Sequence, residues 1–130
     1  MTQSEPTVAI VDDDETVRRA LRRMVTSFSY IPIEFESGEA FLTSQHLPKI
    51  GCVLLDLHMP GLNGLDVLGR VKGGDLGIPI IIITGGDQPS MRQRCIEAGA
   101  AGYLVKPAER ARVLSMIESC LNGNGGKEVP

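Results

Sequence analysis

The chain has 130 residues, 42% hydrophobic and 22% charged, enough for one domain with a single buried core. Its formal net charge of −3 gives no general attraction to nucleic acid or anionic lipid, which argues against a binder of polyanions. Cys52, Cys95 and Cys120 lack C-x-x-C spacing, the N-terminus carries no basic or long apolar leader, and IPIIIIT is too short to span a bilayer; buried thiols in a cytoplasmic protein are expected, with no membrane partner.

The first apolar run, Thr7–Val11, ends abruptly in Asp12, Asp13, Asp14 and Glu15. A helix follows, with Val17, Ala20, Leu21, Met24, Val25 and Phe28 on one face and Arg18, Arg19, Arg22 and Arg23 on the other as a solvated stripe. Asp14 or Glu15 is expected to cap it. Ile31, Ile33 and Phe35 then alternate with Pro32, Glu34 and Glu36, the period of a strand with one wet face, and Pro32 favours an edge position. Ser37 suits the cap of a short helix reaching Ser44.

Cys52–Asp56 is a continuous apolar run ending in a carboxylate, which predicts a central strand; a Pro/Gly loop and a helix over Gly64–Lys72 come next. Ile78–Thr84 predicts a second central strand. Pro89 fits a helix's first turn, with Gly99 as its left-handed cap. GYLVK makes a fifth strand, and Val113, Leu114, Ile117 and Leu121 line one face of a last helix. The expected organisation is a single domain over 1–130, with its core at 7–122 and a flexible tail at 123–130.

Five strands alternating with five helices imply an α/β, doubly wound parallel sheet covered on both faces. All strand C-termini then share one rim, where ligand sites of open α/β sheets lie. Asp12, Asp13 and Asp14 follow the first strand, Asp56 ends the third, Thr84 the fourth, and Lys106 the fifth.

If Asp12, Asp13 and Asp56 converge, each pair about 5 Å apart repels by roughly 3 kcal/mol at an effective dielectric of about 20. A divalent cation relieves that repulsion, and a set of few oxygen ligands plus water suits Mg²⁺ better than Zn²⁺ or a caged Ca²⁺. One carboxylate in such a site can act as a phosphoryl-accepting nucleophile if metal and a nearby ammonium neutralise charge. Asp56, alone at the end of a central strand, fits that role; Lys106 supplies the ammonium and Thr84 a hydroxyl donor.

In this order and at these intervals, the VDDDE acid pair, LLDLHMPGLNG with Asp56, Met59, Pro60 and Gly64, IITGG with Thr84, and GYLVKP with Tyr103, Lys106 and Pro107 closely resemble the receiver domains of two-component response regulators. The resemblance spans residues 7 to 122. It implies the flavodoxin-like strand order 2-1-3-4-5, the order for which receivers are themselves a standard example. It also implies that Asp56 accepts phosphoryl from a histidine kinase or phosphotransfer protein, without being a turnover enzyme. Asp13, Asp56 and the backbone carbonyl of His58 would bind Mg²⁺, with Asp12 helping through water.

Further implications are a switch at Thr84 and Tyr103, and loop shaping by Pro60, Gly64 and Pro107. The expected output surface is the fourth helix, fifth strand and fifth helix, with association after phosphorylation near Met91, Arg92, Lys106 and Arg110. The chain either acts alone or is the receiver of a longer regulator carrying an effector domain, and is not expected to bind nucleic acid itself. Rival readings are an interaction module independent of phosphorylation, a flavin or nucleotide module, and an Asp-nucleophile phosphatase. The last lacks its second Asp, since His58 stands there; the nucleotide module lacks a Gly-rich phosphate loop, having three aspartates instead.

Overall fold

The computed structural model describes residues 6–74 and 77–122. Strand and helix alternate: β1 (Thr7–Val11), α1 (Glu15–Ser27), β2 (Ile31–Phe35), α2 (Gly38–Leu42), β3 (Ile50–Asp56), α3 (Gly64–Gly73), β4 (Ile80–Thr84), α4 (Pro89–Glu97), β5 (Gly102–Val105) and α5 (Arg110–Leu121). The strands form one parallel sheet in the order β2-β1-β3-β4-β5, as the resemblance implied. The expected tail at 123–130 lies outside the described residues.

The order of the strands follows their composition. Every residue of β4 and all of β3 except half-buried Gly51 are buried, as centrally placed parallel strands must be. β2, with Pro32 opposite Val8, takes an edge, and its first residue Ile31 is 43% exposed. Side chains alternate between two cores. Ala9, Val11, Val53, Leu55, Ile80 and Ile82 pack with Phe41, Val67, Leu68, Val71 and Cys95 from α2, α3 and α4. Val8, Ile10, Cys52, Leu54, Ile81 and Ile83 pack on the other face with Leu21 and Val25 of α1 and Val113 and Ile117 of α5.

The predicted helix signals act as expected. The Asp14 carboxylate accepts from the Thr16 and Val17 N–H groups, at 2.8 and 3.3 Å. Ser37 Oγ accepts from Ala40 N–H, Pro89 opens α4, and Gly99 follows it with φ +101°. All three cysteines are buried thiols.

Three details differ from the sequence-based expectation. Ala20 is exposed, because it stands at the margin of the α1 apolar face. Within Ile78–Thr84 the ladder starts only at Ile80: Pro79 has no N–H to give, although its carbonyl accepts from Val53 N–H at 3.0 Å. Finally, α2 stops at Leu42 rather than reaching Ser44, whose hydroxyl instead accepts from His46 N–H in the next turn.

Candidate functional site

Sheet register assembles the rim. Val11 is opposite Leu55, Asp56 opposite Ile83, and Thr84 opposite Val105. Asp12, Asp56, Thr84 and Lys106 therefore end four adjacent strands, about 4.8 Å apart, in one row. One carboxylate oxygen from each of Asp12, Asp13 and Asp56 lies within 4.8 Å of the others. From the far end of the row, Lys106 reaches back so that Nζ donates to Asp12 Oδ2 and to Asp56 Oδ1, both at 3.0 Å.

Asp12 and Asp56 are only 2% and 6% exposed, whereas Asp13 is exposed. Burial is the main reason that the Asp56 carboxyl lies above its ordinary pKa; the Lys106 hydrogen bond opposes the rise, and the charges of Asp12 and Asp13 add to it. Burial likewise pulls the Lys106 ammonium down, but its bonds to Asp56 and Asp12 outweigh that and hold its pKa above the ordinary lysine value. Three carboxylates against one ammonium leave a net negative oxygen-rich site, a donor set that fits a hard dication such as Mg²⁺.

Thr84 is fully buried. Its hydroxyl donates to the Gly86 carbonyl at 3.1 Å and accepts from Gly86 N–H at 3.2 Å, so the loop after β4 engages it. The Lys106–Pro107 peptide is cis, and Lys106 N–H donates to the Thr84 carbonyl at 2.7 Å. His58 is exposed.

The loop from Leu57 to Asn63 is tied at its start by Leu57 N–H, which donates to the Ile83 carbonyl at 3.3 Å, and twice at its end. Asn63 and Asp66 form a reciprocal capping box at the start of α3, and Glu39 of α2 accepts from Leu62 N–H at 3.3 Å. Exposed Pro60 lies within it. Gly64 is required by close approach: a Cβ there would stand 2.6 Å from the Asp56 carbonyl oxygen and 2.8 Å from Leu57 Cα, both backbone atoms. Gly64→Ala is expected to cost about 2 kcal/mol or more, as overpacking against backbone does, and to displace Asp56; a urea melt at unchanged m-value measures the cost.

Tyr103 is turned inward, 9% exposed, with the Arg92 guanidinium 5.0 Å from its ring centroid and Arg92 bonded in turn to Asp87 at 3.2 Å. Its hydroxyl oxygen is buried with no hydrogen-bond partner among the described residues. Burial, followed by the charge of Asp87, raises the phenol's pKa.

The residues of the expected association surface, Met91, Arg92, Lys106 and Arg110, have distinct contacts within the chain. Arg110 Nη1 donates to Ser27 Oγ at 2.6 Å and its guanidinium lies 4.7 Å from the Phe28 ring centroid, so it serves the α1–α5 contact. Lys106 belongs to the acid site. A cavity of about 220 Å³ beside Tyr103 is lined by Arg92, Val105, Glu109 and Arg112, among others.

Arg18 was expected in a solvated stripe, yet its side chain is only 15% exposed and its Nη1 donates to the Asp12 carbonyl at 2.8 Å. Helical period places it opposite the apolar face but says nothing of its reach. The available signal was Glu34, a carboxylate on the wet face of the neighbouring edge strand.

The fold and the rim together define a doubly wound α/β protein whose strand ends present an acid trio bridged by an ammonium. Residues 8–118 match the model of the response regulator receiver domain, and the chain belongs to that family, as a receiver domain of a two-component response regulator. It is 33% identical over 114 residues to the transcriptional regulatory protein FixJ of Bradyrhizobium diazoefficiens, covering 88% of this chain and 56% of that protein. To the response regulator protein TodT of Pseudomonas putida it is 34% identical over 121 residues, covering 93% and 53%. The chain thus spans about half the length of these curated relatives. The FixJ N-terminal domain superimposes with a TM-score of 0.83 at 32% identity, covering 98% of this chain and 99% of that one.

Among the described residues, no helix is long and apolar enough to cross a membrane.

Proposed function

We propose that the chain is a cytoplasmic phosphoacceptor whose Asp56 takes a phosphoryl group from a phosphohistidine on a kinase or phosphotransfer protein. The observation that carries this reading is Lys106 Nζ, bonded at 3.0 Å to both Asp56 and Asp12 inside a trio of carboxylates. Two buried carboxylates with a third beside them, and one ammonium between them, form a net negative site that a bound dication relieves. Asp12, Asp13, Asp56 and the His58 carbonyl would hold Mg²⁺, with Asp12 acting partly through water. Bound there, the dication supplies charge neutralisation for the transferred phosphoryl oxygens.

An Asp56 carboxylate oxygen attacks phosphorus in line with the departing imidazole nitrogen; the P–N bond breaks as the O–P bond forms. Lys106 moves with the new charge, exchanging its bond to Asp56 for one to a phosphoryl oxygen while keeping Asp12. Thr84 gives up Gly86 to donate to another phosphoryl oxygen, and the loop to α4 follows it. Tyr103, already inward, fills the space beside that loop. The face of α4, β5 and α5 around Arg92, Val105 and Arg112 then carries the signal to a partner, a second copy or an effector domain, without turnover of substrate and without direct contact to nucleic acid.

Incubation with a small phosphoryl donor and Mg²⁺ tests the reading by intact mass. One phosphoryl group per chain is expected, absent when the metal is chelated. No uptake with Mg²⁺ present would reverse the proposal in favour of a phosphorylation-independent module, and steady phosphate release without a labelled protein would favour a phosphatase.

A further inference from the structure

We infer that Arg18 is a positioning residue for the dication site, an inference that rests on the function proposed above. The Asp12 carbonyl belongs to the peptide that joins Asp12 to Asp13. Arg18 Nη1 holds that carbonyl at 2.8 Å, and on the other side Asp12 N–H donates to the Phe35 carbonyl of β2 at 3.1 Å. Asp12 is therefore clamped between the first turn of α1 and the end of β2, and the plane of the following peptide is set by Arg18.

Asp13 depends on that plane. Among the described residues its carboxylate makes no hydrogen bond or ion pair with protein, in contrast to Asp12, which has Lys106 Nζ and Asp14 N–H. Backbone alone therefore sets the position from which Asp13 offers its oxygen, and Arg18 is a side chain that holds that backbone.

Arg18 is itself ordered for this purpose. Its Nε lies 3.4 Å from Glu34 Oε1, while Glu34 Oε2 is 2.9 Å from Arg22 Nε. Glu34 offsets the Arg18 charge, so the guanidinium works as a rigid hydrogen-bonding fork with little net field at the acid trio. Arg22 shares Glu34 but does not touch Asp12, and it is half-exposed, which makes it a matched control.

The sign of the effect separates geometry from charge. Were Arg18 merely a cation near a dication site, its removal would tighten Mg²⁺ binding. As the group that orients the Asp12–Asp13 peptide, its removal weakens binding, by about tenfold, the lower end of what outer partners of metal ligands contribute.

The test is Mg²⁺ titration of the full chain by calorimetry, with urea melts of the metal-free protein alongside. Arg18→Ala is expected to weaken Mg²⁺ about tenfold and Arg18→Lys about threefold, since an ammonium keeps the charge and one donor but not the fork. Arg22→Ala is expected to lower the melting midpoint while leaving Mg²⁺ affinity within about twofold. If Arg18→Ala fails to fold, Arg18→Lys against Arg22→Ala carries the comparison. Wild-type or tighter Mg²⁺ binding by the Arg18 variants, or equal weakening by Arg22→Ala, overturns the inference and leaves the phosphoacceptor reading standing. A wild-type chain that takes up no Mg²⁺ overturns both.

Discussion

Asp56→Asn is expected to abolish phosphoryl uptake completely and, in the same protein, to raise metal-free stability at neutral pH by about 1 kcal/mol, the order of one like-charge contact near solvent. The first effect follows from the lost nucleophilic oxygen. The second follows from the raised Asp56 pKa: the fold disfavours the ionised carboxylate through burial and through Asp12 and Asp13 more than Lys106 favours it. A neutral isostere removes the penalty and still accepts from Lys106.

The pH dependence has a definite sign. With its folded pKa above the ordinary 3.8, Asp56 is protonated in the folded chain over a window where the unfolded chain has already lost its proton. Its contribution to metal-free stability therefore falls as pH rises through that window, and stays constant above it. Lys106 has the same sign at the alkaline end, because its folded pKa is also raised. Its stabilisation is full below the ordinary 10.5 and is lost as pH climbs past its raised folded value. Urea melts in chelator, compared between wild type and Asp56→Asn, should show the acid-side step in the wild type only. With Mg²⁺ at about a hundred times its Kd, wild type should gain about 2.7 kcal/mol, and the variant, short of one ligand, much less.

Lys106→Ala is expected to have the larger structural effect, a loss of about 3 kcal/mol without metal, because two carboxylates almost wholly out of water are left without their ammonium. Most of that loss should vanish when Asp56→Asn is combined with it. A double-mutant cycle in which the two changes simply add would show that Lys106 is not paired with Asp56 in solution. In the single variant Mg²⁺ should bind more tightly than in wild type, having no competitor for Asp12 Oδ2 and Asp56 Oδ1, yet phosphoryl uptake should slow by about a hundredfold. Tighter metal with slower chemistry distinguishes loss of charge stabilisation from collapse of the site.

Strand content was plain in the sequence because β-branched runs such as Ile80–Ile83 and Val53–Leu55 admit few other readings. Once alternation implied a parallel sheet, the rim residues could be read from strand ends, and Asp12, Asp13, Asp56 and Lys106 do converge. Long polar side chains were harder to place. Arg18 was read by the face of the helix it occupies, but a guanidinium spans enough distance to choose a partner on another element, as Arg18 does with Asp12 and Arg110 with Ser27. Periodicity describes where a side chain starts; the partner decides where it ends. Tyr103 was expected to turn inward as part of a switch, and the sequence carried no sign that Arg92, linked to Asp87, would lie against its ring.

The row of strand ends also bears on how this chain can vary. Because β4 is buried on both faces, its isoleucines are shared between two cores by strict alternation, Ile80 and Ile82 to one and Ile81 and Ile83 to the other. A residue gained or lost in a surface loop leaves that alternation untouched. A residue gained inside β4 would exchange the two sets and put an isoleucine where the Thr84 hydroxyl belongs, so packing and reactivity would fail together. Insertions in the connections are thus the ones expected to leave the reactive groups aligned.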